Sequence, residues 1–555
     1  MSRSLMAARA WTAAVAFLWA GAAAPAAGQQ PAAHDHARAG SGGIPLYNDL
    51  GTHHRRITTR SKEAQAYFDQ GLRLEYAFNH PEAIQSYQEA LRRDPDCAMC
   101  WWGIALAAGP NINWPMSPEA GRQAYTAIRE ARARASSATA VERALIAALA
   151  RRYAADPEAD RAPLDSAFAR AMADVARSYP DDADVLTLYA AALMNLSPWN
   201  YWEGEYRDRK PRPGTERILS TLERALAIAP DHPGACHYYI HAVEAAYPEK
   251  AVPCADRLAS LMPGAGHIVH MPGHIYIRVG RYADAVRTNE HAVHSDEKFI
   301  ADRGVSTLYT GAYYPHNYHF MAFAATMAGM SKKAIEAARI VAPRVPVDVA
   351  RDVYWIQNAV VMPHITLLTF GRWQDVLAEP MPPAELGQAT IMATYARGVA
   401  LAALGRFDEA RGVLAEIRNA TAQAGDDPTT DPVPHIAPLV LAGEIALRSG
   451  DAEGAVKYFR QAVEIEDALL YEEPPLWYYP IRHSLGRALL EAGRPAEAER
   501  AYREDLDRFP HNGWSLFGLM KSLEAQDRKP EAAQVQARFR EAWKHADVGL
   551  TASRF

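Results

Sequence analysis

Apolar residues recur at helical spacing along almost the whole chain after residue 60, and no stretch shows the strict alternation that is typical of a half-buried β-strand. Gly-Arg, Asp-Pro and other turn-forming pairs interrupt the helical segments at a recurring interval of about 34 residues. An interval of this size indicates two-helix units that stack on one another, because a single helix pair cannot bury its apolar face alone. The pattern predicts an all-α repeat array.

The clearest copy of the unit is AQAYFDQGLRLEYAFNHPEAIQSYQEALRRDP, residues 64–95. Small residues at Gly71, Ala83 and Ala90 let two helices approach closely, and Pro95 ends the second helix. The same frame returns with a turn glycine, a following alanine or both at Gly280 and Ala285, Gly329 and Ala334, Gly371, Gly405 and Ala410, Gly450 and Ala455, Gly493 and Ala498, and Ala532. These positions resemble those of tetratricopeptide repeats.

The resemblance covers most of residues 64–546 and implies a right-handed helical solenoid of about ten helix pairs. We predict a domain order of a signal peptide (1–28), a flexible leader (29–60), N-terminal helical repeats with an inserted loop (61–230), central histidine-rich repeats (231–348), and C-terminal repeats with a cap (349–555). The inserted loop is SPWNYWEGEYRDRKPRPG, which departs from the repeat pattern.

The first residues have the organisation of an export signal. Arg3 and Arg9 give a charged start, an apolar run begins at Trp11, and small residues lead into Gln29. The run is short for a membrane span, and no later segment is long enough, so we expect a periplasmic or secreted protein without a membrane span after signal removal. An uncleaved membrane anchor is the alternative.

Four cysteines fit that compartment. An even number in an oxidising environment suggests two disulfides, and the spacing favours Cys97 with Cys100 and Cys236 with Cys254. A pair of thiolates at Cys97 and Cys100 is the alternative. Charged residues make up 22% of the chain and the net charge is −6, which argues against a nucleic-acid partner.

Histidines are concentrated in the central repeats, where nine of the 20 fall between residues 237 and 319. When the turn glycine of each repeat is numbered 15, His267, His270 and His274 take positions 2, 5 and 9 of one first helix. His316 and His319 take positions 2 and 5 of the next. Residues three and four apart share a helix face, and the resemblance implies that this face lines the concave groove.

The preceding repeat contains ACHYYIHAVE, and its register has two solutions. Counting onward from Pro230 puts His237, His241 and Glu244 on the groove face. Counting back from Pro263 puts Cys236 and Ile240 there instead. Both registers remain open at the level of sequence.

Neutral imidazoles from three neighbouring helices, with a carboxylate beside them, are the ligands that Cu, Fe and Zn accept. One ion needs only three or four ligands, so the set would hold two ions, or one ion with the other histidines around it. The predicted metal ligands are His237, His241, Glu244, His267, His270, His274, His316 and His319. Packing histidines or a surface for a polar peptide are the alternatives.

Two further residues fall on the same face. Arg278 takes position 13 of the central repeat and His483 position 5 of a later one, so we expect both to contact a small molecule or peptide in the concave groove. The segment from Glu472 to Pro480 is predicted to be either a lid over that side or a cap of the array.

The segments YIHAVE, HMPGHIY and PHNYHF resemble a group of exported bacterial tetratricopeptide proteins, from which no activity can be carried over. The hypothesis is an exported solenoid with a histidine-rich transition-metal site, serving a metal-dependent oxidative or hydrolytic enzyme. The alternative is a periplasmic scaffold that binds proteins or peptides without catalysis. The sequence does not decide whether the chain is an enzyme.

Overall fold

Helix pairs joined by short turns make up almost all of the computed structural model, which describes residues 43–204, 208–303, 309–352, 356–422 and 431–555. Each helix packs chiefly on its neighbours along the chain, and Leu46–Phe555 form one unit. The predicted all-α array of stacked helix pairs is confirmed.

The N-terminal part holds α1 Lys62–Tyr76, α2 His80–Arg93, α3 Ala98–Ala107, α4 Pro118–Arg134, α5 Ala140–Leu149, α6 Arg161–Ser178, α7 Ala183–Met194 and α8 Thr215–Ile228, with a 3-10 turn at Ala135–Ser137. Between α7 and α8 the inserted loop forms a small antiparallel hairpin of β1 Trp202–Glu203 and β2 Lys210–Pro211, with Trp202 opposite Pro211.

The central part holds α9 Pro233–Val243, α10 Val252–Leu261, α11 Gly266–His270, α12 Pro272–Arg278, α13 Tyr282–Arg303, α14 Tyr314–Met327, α15 Ser331–Val341 and α16 Val347–Asp352. Short 3-10 turns lie at Pro248–Ala251 and Ala342–Arg344, and a π-helical turn lies at Tyr309–Tyr313. A disulfide between Cys236 and Cys254 joins α9 to α10, and a second joins Cys97 to Cys100 at the start of α3.

The C-terminal part holds α17 Gln357–Thr369, α18 Trp373–Ala378, α19 Gly387–Ala403, α20 Phe407–Ala420, α21 Val433–Arg448, α22 Ala452–Ala468, α23 Arg482–Glu491, α24 Pro495–Arg508, α25 Gly513–Ala525 and α26 Lys529–Ala542.

The turn inside each repeat needs a residue in the left-handed region, and the recurring glycine supplies it. Gly280 has φ +77°, and the turn glycines of later repeats, Gly329, Gly371, Gly405, Gly450 and Gly493, have φ between +68° and +92°. Glycine adopts this conformation without the steric penalty that a Cβ atom brings. Phe78 is in the corresponding position of the first repeat with φ +56°.

The residues after α26 run back across the C-terminal repeats. We call Trp543–Phe555 the return segment. The Asp547 carboxylate accepts the Ser331 backbone N–H (2.7 Å), and the Arg448 side chain donates to the Phe555 carbonyl oxygen (2.6 Å). Ser553 donates to the His483 carbonyl oxygen at 2.9 Å. The return segment therefore contacts repeats that are far apart in sequence.

The predicted signal peptide and residues 29–42 of the predicted leader lie outside the described residues. Residues 46–61 carry no helix and bond to the repeats: the Arg55 guanidinium donates to Asp182 (2.9 Å), and Thr58 donates its backbone N–H to Glu142 (2.6 Å). Among the described helices, none has both the length and the apolar character that a bilayer crossing requires.

Candidate metal centre

Three neighbouring repeats bring their first helices together at the histidine cluster. His237 and His241 lie on α9, His267 and His270 on α11, His274 on α12 and His316 on α14. The structure adopts the register counted from Pro230, and Cys236 is turned away into its disulfide. Five of the imidazoles are buried, with exposed fractions from 0% for His237 and His270 to 4% for His274, and His316 is half-buried.

The six histidines form two groups of three. We call His237, His241 and His267 triad A, and His270, His274 and His316 triad B. In each triad, one nitrogen atom from every imidazole lies within 4.8 Å of the other two. The Nε2 atoms of His237 and His267 are 3.2 Å apart, and those of His270 and His274 are 2.9 Å apart. Each triad has the spacing that a single ion needs.

The outer nitrogen of two triad A histidines is anchored. His237 donates its Nδ1–H to the Tyr76 carbonyl oxygen (2.6 Å), and His241 donates its Nδ1–H to Glu244 Oε1 (3.1 Å). A hydrogen bond at Nδ1 places the proton there and leaves an Nε2 lone pair directed into the cluster. Within the described residues, His241 Nε2 and His267 Nδ1 are buried without a hydrogen-bond partner.

Triad B is anchored in the same way. His270 donates its Nδ1–H to Asn289 Oδ1 (2.7 Å), and Asn289 is itself oriented by donating from Nδ2 to the Ala285 carbonyl oxygen (2.8 Å). Gly273 permits this close packing, because a Cβ atom there would lie 2.8 Å from Asn289 Nδ2. His274 donates its Nδ1–H to Glu244 Oε2 at 2.6 Å.

Two carboxylates contact the cluster. Glu244, at the end of α9, accepts from His241 of triad A with one oxygen and from His274 of triad B with the other. Glu473 comes from the segment between α22 and α23, and its Oε2 lies 3.0 Å from His274 Nδ1. Glu244 is 1% exposed, so water does not screen these contacts.

Burial controls the protonation of the histidines. Burial, reinforced for each by at least one neighbouring histidine, holds the pKa of His237, His241, His267, His270 and His316 well below the usual value. Burial also disfavours charge on His274, but the Glu244 and Glu473 carboxylates outweigh it and raise the pKa of His274 to about 10. Five of the six imidazoles are therefore neutral, which is the form that binds metal.

Aromatic rings close the space around the imidazoles. The Phe78 ring centroid is 4.4 Å from that of His237, Tyr313 is 4.7 Å from His267, and Phe320 is 4.6 Å from both His270 and His274. Phe78 holds its ring there from a left-handed backbone conformation that is unfavourable for a residue with a Cβ atom. The cluster is consequently shielded from bulk water.

The remaining predicted residues lie around or apart from the triads. His319 is buried on α14 but belongs to neither triad, and burial lowers its pKa to about 4. Arg278 lies beside the cluster, with Nε 3.7 Å from Glu473 Oε1 and 3.3 Å from the Glu244 carbonyl oxygen. His483 contacts Asp505 (3.1 Å) in a separate buried network on α23 to α25.

Sequence reasoning missed several residues of this site. Asn289 lies on a second helix, and its only signal is a polar residue at a buried helical position. The signal for Phe78 is a non-glycine residue at the position where later repeats have the turn glycine. Glu473 lies in a segment that was predicted only as a lid or cap, so its contact with His274 had no sequence signal.

Tetratricopeptide-repeat models match residues 391–416, 437–468 and 480–504. The predicted repeats are thus confirmed in this part of the chain, which contains tetratricopeptide repeats. No curated protein matches it.

Solved structures match most of the chain, at low identity. A monomeric IFIT1 mutant with Gppp-AAAA is 11% identical over 87% of this chain and 91% of that chain, with a TM-score of 0.32. The human IFIT1 dimer with m7Gppp-AAAA is 11% identical over the same shares, with a TM-score of 0.30. The Cut9–Hcn1 hetero-tetramer of APC/C is 14% identical over 88% of this chain and 76% of that chain, with a TM-score of 0.29. Similarity at this level carries no information about a ligand.

Proposed function

We propose that this protein binds two transition-metal ions, one in each histidine triad, and that the pair serves a metal-dependent reaction. One observation carries the proposal: anchored outer nitrogens leave inner Nε2 lone pairs facing one another, and His241 Nε2 has no partner within the described residues. A buried nitrogen without a partner is costly unless something binds it. A cation in each triad would bind the lone pairs of that triad.

The donor set selects the kind of metal. Neutral imidazoles suit Zn, Cu and Fe, whereas Mg and Ca prefer carboxylate, carbonyl and water oxygens. Glu244 and Asn289 hold the outer nitrogens of the ligands, which is the usual arrangement around histidine ligands. We therefore propose Cu, Fe or Zn, and not an alkaline-earth ion.

The two triads are close enough for the ions to act together. The ring centroids of His241 and His274 are 5.4 Å apart, and those of His267 and His270 are 6.0 Å apart. Three protein ligands leave an open coordination position on each ion, which can activate water or serve a redox reaction. The aromatic shell formed by Phe78, Tyr313 and Phe320 excludes water, and this favours the oxidative reaction over hydrolysis.

We further propose that the protein acts in the periplasm or outside the cell. Residues 1–28 have the organisation of an export signal, and the two disulfides are of the kind that persist in an oxidising compartment. Fractionation of the native host followed by N-terminal sequencing checks this. A mature chain starting near residue 29 supports export, and a cytoplasmic chain starting at Met1 contradicts it.

Metal analysis of protein purified without a histidine tag or chelator tests the proposal. After reconstitution with Cu, Fe or Zn, we expect about two ions per chain for one of these metals, because three ligands suffice for each. The double variant His267→Ala, His270→Ala removes one ligand from each triad and should bind neither ion tightly.

The matched control is His291→Ala, His294→Ala, which removes two exposed histidines of α13. It should retain both ions. Less than about 0.2 ion per chain in the wild-type protein, where each triad can hold one, would overturn the proposal. The peptide-binding scaffold would then be the remaining function.

A further inference from the structure

Trp199, in the inserted loop between α7 and α8, is unusual in two independent ways. Its indole is 45% exposed, which is high for the largest apolar side chain, and its backbone has φ +61° in the left-handed region. Residues other than glycine adopt this conformation at an energetic penalty, and such positions are concentrated at functional sites. Both features need an explanation.

The indole lies directly on triad A. Its ring centroid is 4.9 Å from that of His241 at an interplanar angle of 81°, an edge-to-face contact. His241 is the histidine whose Nε2 is buried without a partner within the described residues. Trp199 therefore has one face against a proposed metal ligand and another in solvent.

The inserted loop is fastened over the end of α9, so this position is fixed. Trp202 donates its Nε1–H to the Ala242 carbonyl oxygen (2.9 Å), and Arg209 donates to the Ala245 carbonyl oxygen (2.6 Å). The β1–β2 hairpin closes the loop between these anchors. Both anchors follow Trp199 in the chain and hold the loop that carries it against the end of α9.

The inserted loop and the segments at Tyr247 and at Leu470 carry further exposed apolar residues. Leu196 is 45% exposed, Tyr247 is 37% exposed with its ring 5.1 Å from Trp202, and Leu470 is 47% exposed. Tyr471, next to Leu470, lies beside the Arg278 guanidinium (5.4 Å), which is in turn beside Glu473. A cleft of about 460 Å³, which is room for a small molecule, is lined by Ala246, Pro248 and Arg278.

We propose that the substrate of the metal centre is a small aromatic molecule and that Trp199 binds it on the solvent side of His241. This rests on the proposed function, because only a metal centre at His241 makes the neighbourhood of Trp199 a substrate site. An exposed indole offers a ring face to another ring, and edge-to-face or offset contacts favour aromatic over aliphatic molecules of the same size.

Isothermal titration of the metal-loaded full-length protein tests this with three probes: phenol, cyclohexanol and azide. Phenol should bind more tightly than cyclohexanol. In Trp199→Ala the dissociation constant for phenol should rise about five- to tenfold, the loss expected for one aromatic contact. Azide binds the metal itself, so its affinity and the ion content should not change. Trp199→Phe should restore much of the phenol affinity, which a merely structural role would not predict.

The control is Trp101→Ala, which removes a tryptophan of α3 that packs on Arg134 far along the chain from the loop. It should bind phenol as the wild type does. Equal phenol affinity in Trp199→Ala and wild type, or equal affinity of wild type for phenol and cyclohexanol, overturns the inference.

Ion content is measured on the same samples, so the two proposals fail separately. If the protein holds no metal, the metal proposal fails, and phenol binding is then compared between the metal-free wild type and Trp199→Ala. Weaker phenol binding in Trp199→Ala supports the aromatic site, and equal binding overturns both proposals.

Discussion

Among the residues that the structure describes, two regions bring histidines and carboxylates to the spacing of metal ligands, and the hydrogen bonds of the two regions differ. One region is the pair of triads. The other consists of His53, His232 and Asp184, which we call the Asp184 group. By proximity alone both qualify as metal sites.

In the Asp184 group both carboxylate oxygens of Asp184 and both ring nitrogens of His232 have a partner. Asp184 Oδ1 accepts from His53 (3.0 Å), His232 (3.1 Å) and the Tyr76 hydroxyl (2.7 Å), and Oδ2 accepts from Arg55 (3.2 Å). His232 Nδ1 accepts the Ala235 backbone N–H at 3.1 Å, so its proton is on Nε2 and points at Asp184. No lone pair on His232 is left for a metal, and the group is a structural network.

His237 and His241 of triad A and His270 of triad B show the opposite arrangement, in which the proton lies on the outer Nδ1 atom and the Nε2 lone pair faces inward. Tyr76 joins the two regions, because its hydroxyl donates to Asp184 and its carbonyl oxygen accepts from His237. We conclude that the position of each proton, more than the distance between ligands, distinguishes a metal site from a buried polar network.

Single substitutions in the triads should have the largest effect. We expect His237→Ala and His316→Ala each to lose one ion, lowering the content from about two per chain to about one, because a two-histidine site holds an ion weakly. His232→Ala should keep both ions. Elemental analysis after dialysis measures this, and loss of both ions in His232→Ala would erase the distinction between the regions.

Substitution in the Asp184 group should instead reduce stability. Asp184→Asn removes the buried charge that His53, His232 and Arg55 contact, although Arg55 keeps its pair with Asp182, so we expect about 3–5 kcal/mol lower free energy of unfolding. Denaturant unfolding measures the loss. The ion content should stay as in the wild type, and a stable variant that lacks metal would contradict our assignment.

The Asp184 carboxyl should also make the stability of the protein depend on pH. Burial disfavours the charged form, but hydrogen bonds from His232 and His53 outweigh burial and hold the pKa of Asp184 well below its usual value. A depressed folded-state pKa contributes stability above the unfolded-state pKa of about 4 that is lost as pH falls through the folded value. The difference in melting temperature between wild type and Asp184→Asn should therefore be full at pH 7 and shrink below about pH 4. A difference that is constant down to pH 3 would refute this.

Asn289 offers a smaller and more selective change. Asn289→Ala removes the acceptor that orients His270, and we expect the affinity of triad B for its ion to fall about 10–100-fold while triad A is unaffected. Competition with a metal-binding dye measures the two affinities. Asn289→Asp, which keeps an acceptor, should retain binding, and Thr288→Ala is the control on the same helix. Equal losses in Asn289→Ala and Thr288→Ala would show a general packing effect.

The smallest effect should come from the backbone at Phe78. Both Phe78→Ala and Phe78→Gly remove the ring beside His237, but only glycine accepts φ +56° without strain. We expect Phe78→Gly to be more stable than Phe78→Ala by about 1 kcal/mol in denaturant unfolding. An alanine variant as stable as the glycine variant would show that the turn carries no strain.

The repeats and part of the cluster could be predicted because their signals are local. The turn at Gly280 and the small residues beside Tyr87 follow from backbone sterics and close helix packing. His267, His270 and His274 follow from helical periodicity. Local periodicity places a residue on a face, however, and does not fix which neighbour it meets there, as the separate positions of His319 and His483 show.

The rest of the site depends on contacts between distant segments. Glu473 reaches His274 from about 200 residues away, and the side of Asn289 that faces His270 depends on how α13 packs on α11. The proton positions also depend on distant segments. The proton of His237 lies on Nδ1 because a carbonyl oxygen of α1 accepts it there. Helical spacing contains none of this information.

The return segment has a consequence for how this array could change in evolution. Repeat arrays ordinarily gain or lose a unit by duplication or deletion, because each unit touches only its neighbours. Here hydrogen bonds join Ser331 to Asp547 and Arg448 to Phe555, across 216 and 107 residues. A helix pair duplicated between two such partners would separate them and break their hydrogen bond. The contacts of the return segment therefore fix the number of repeats between Ser331 and the C-terminus.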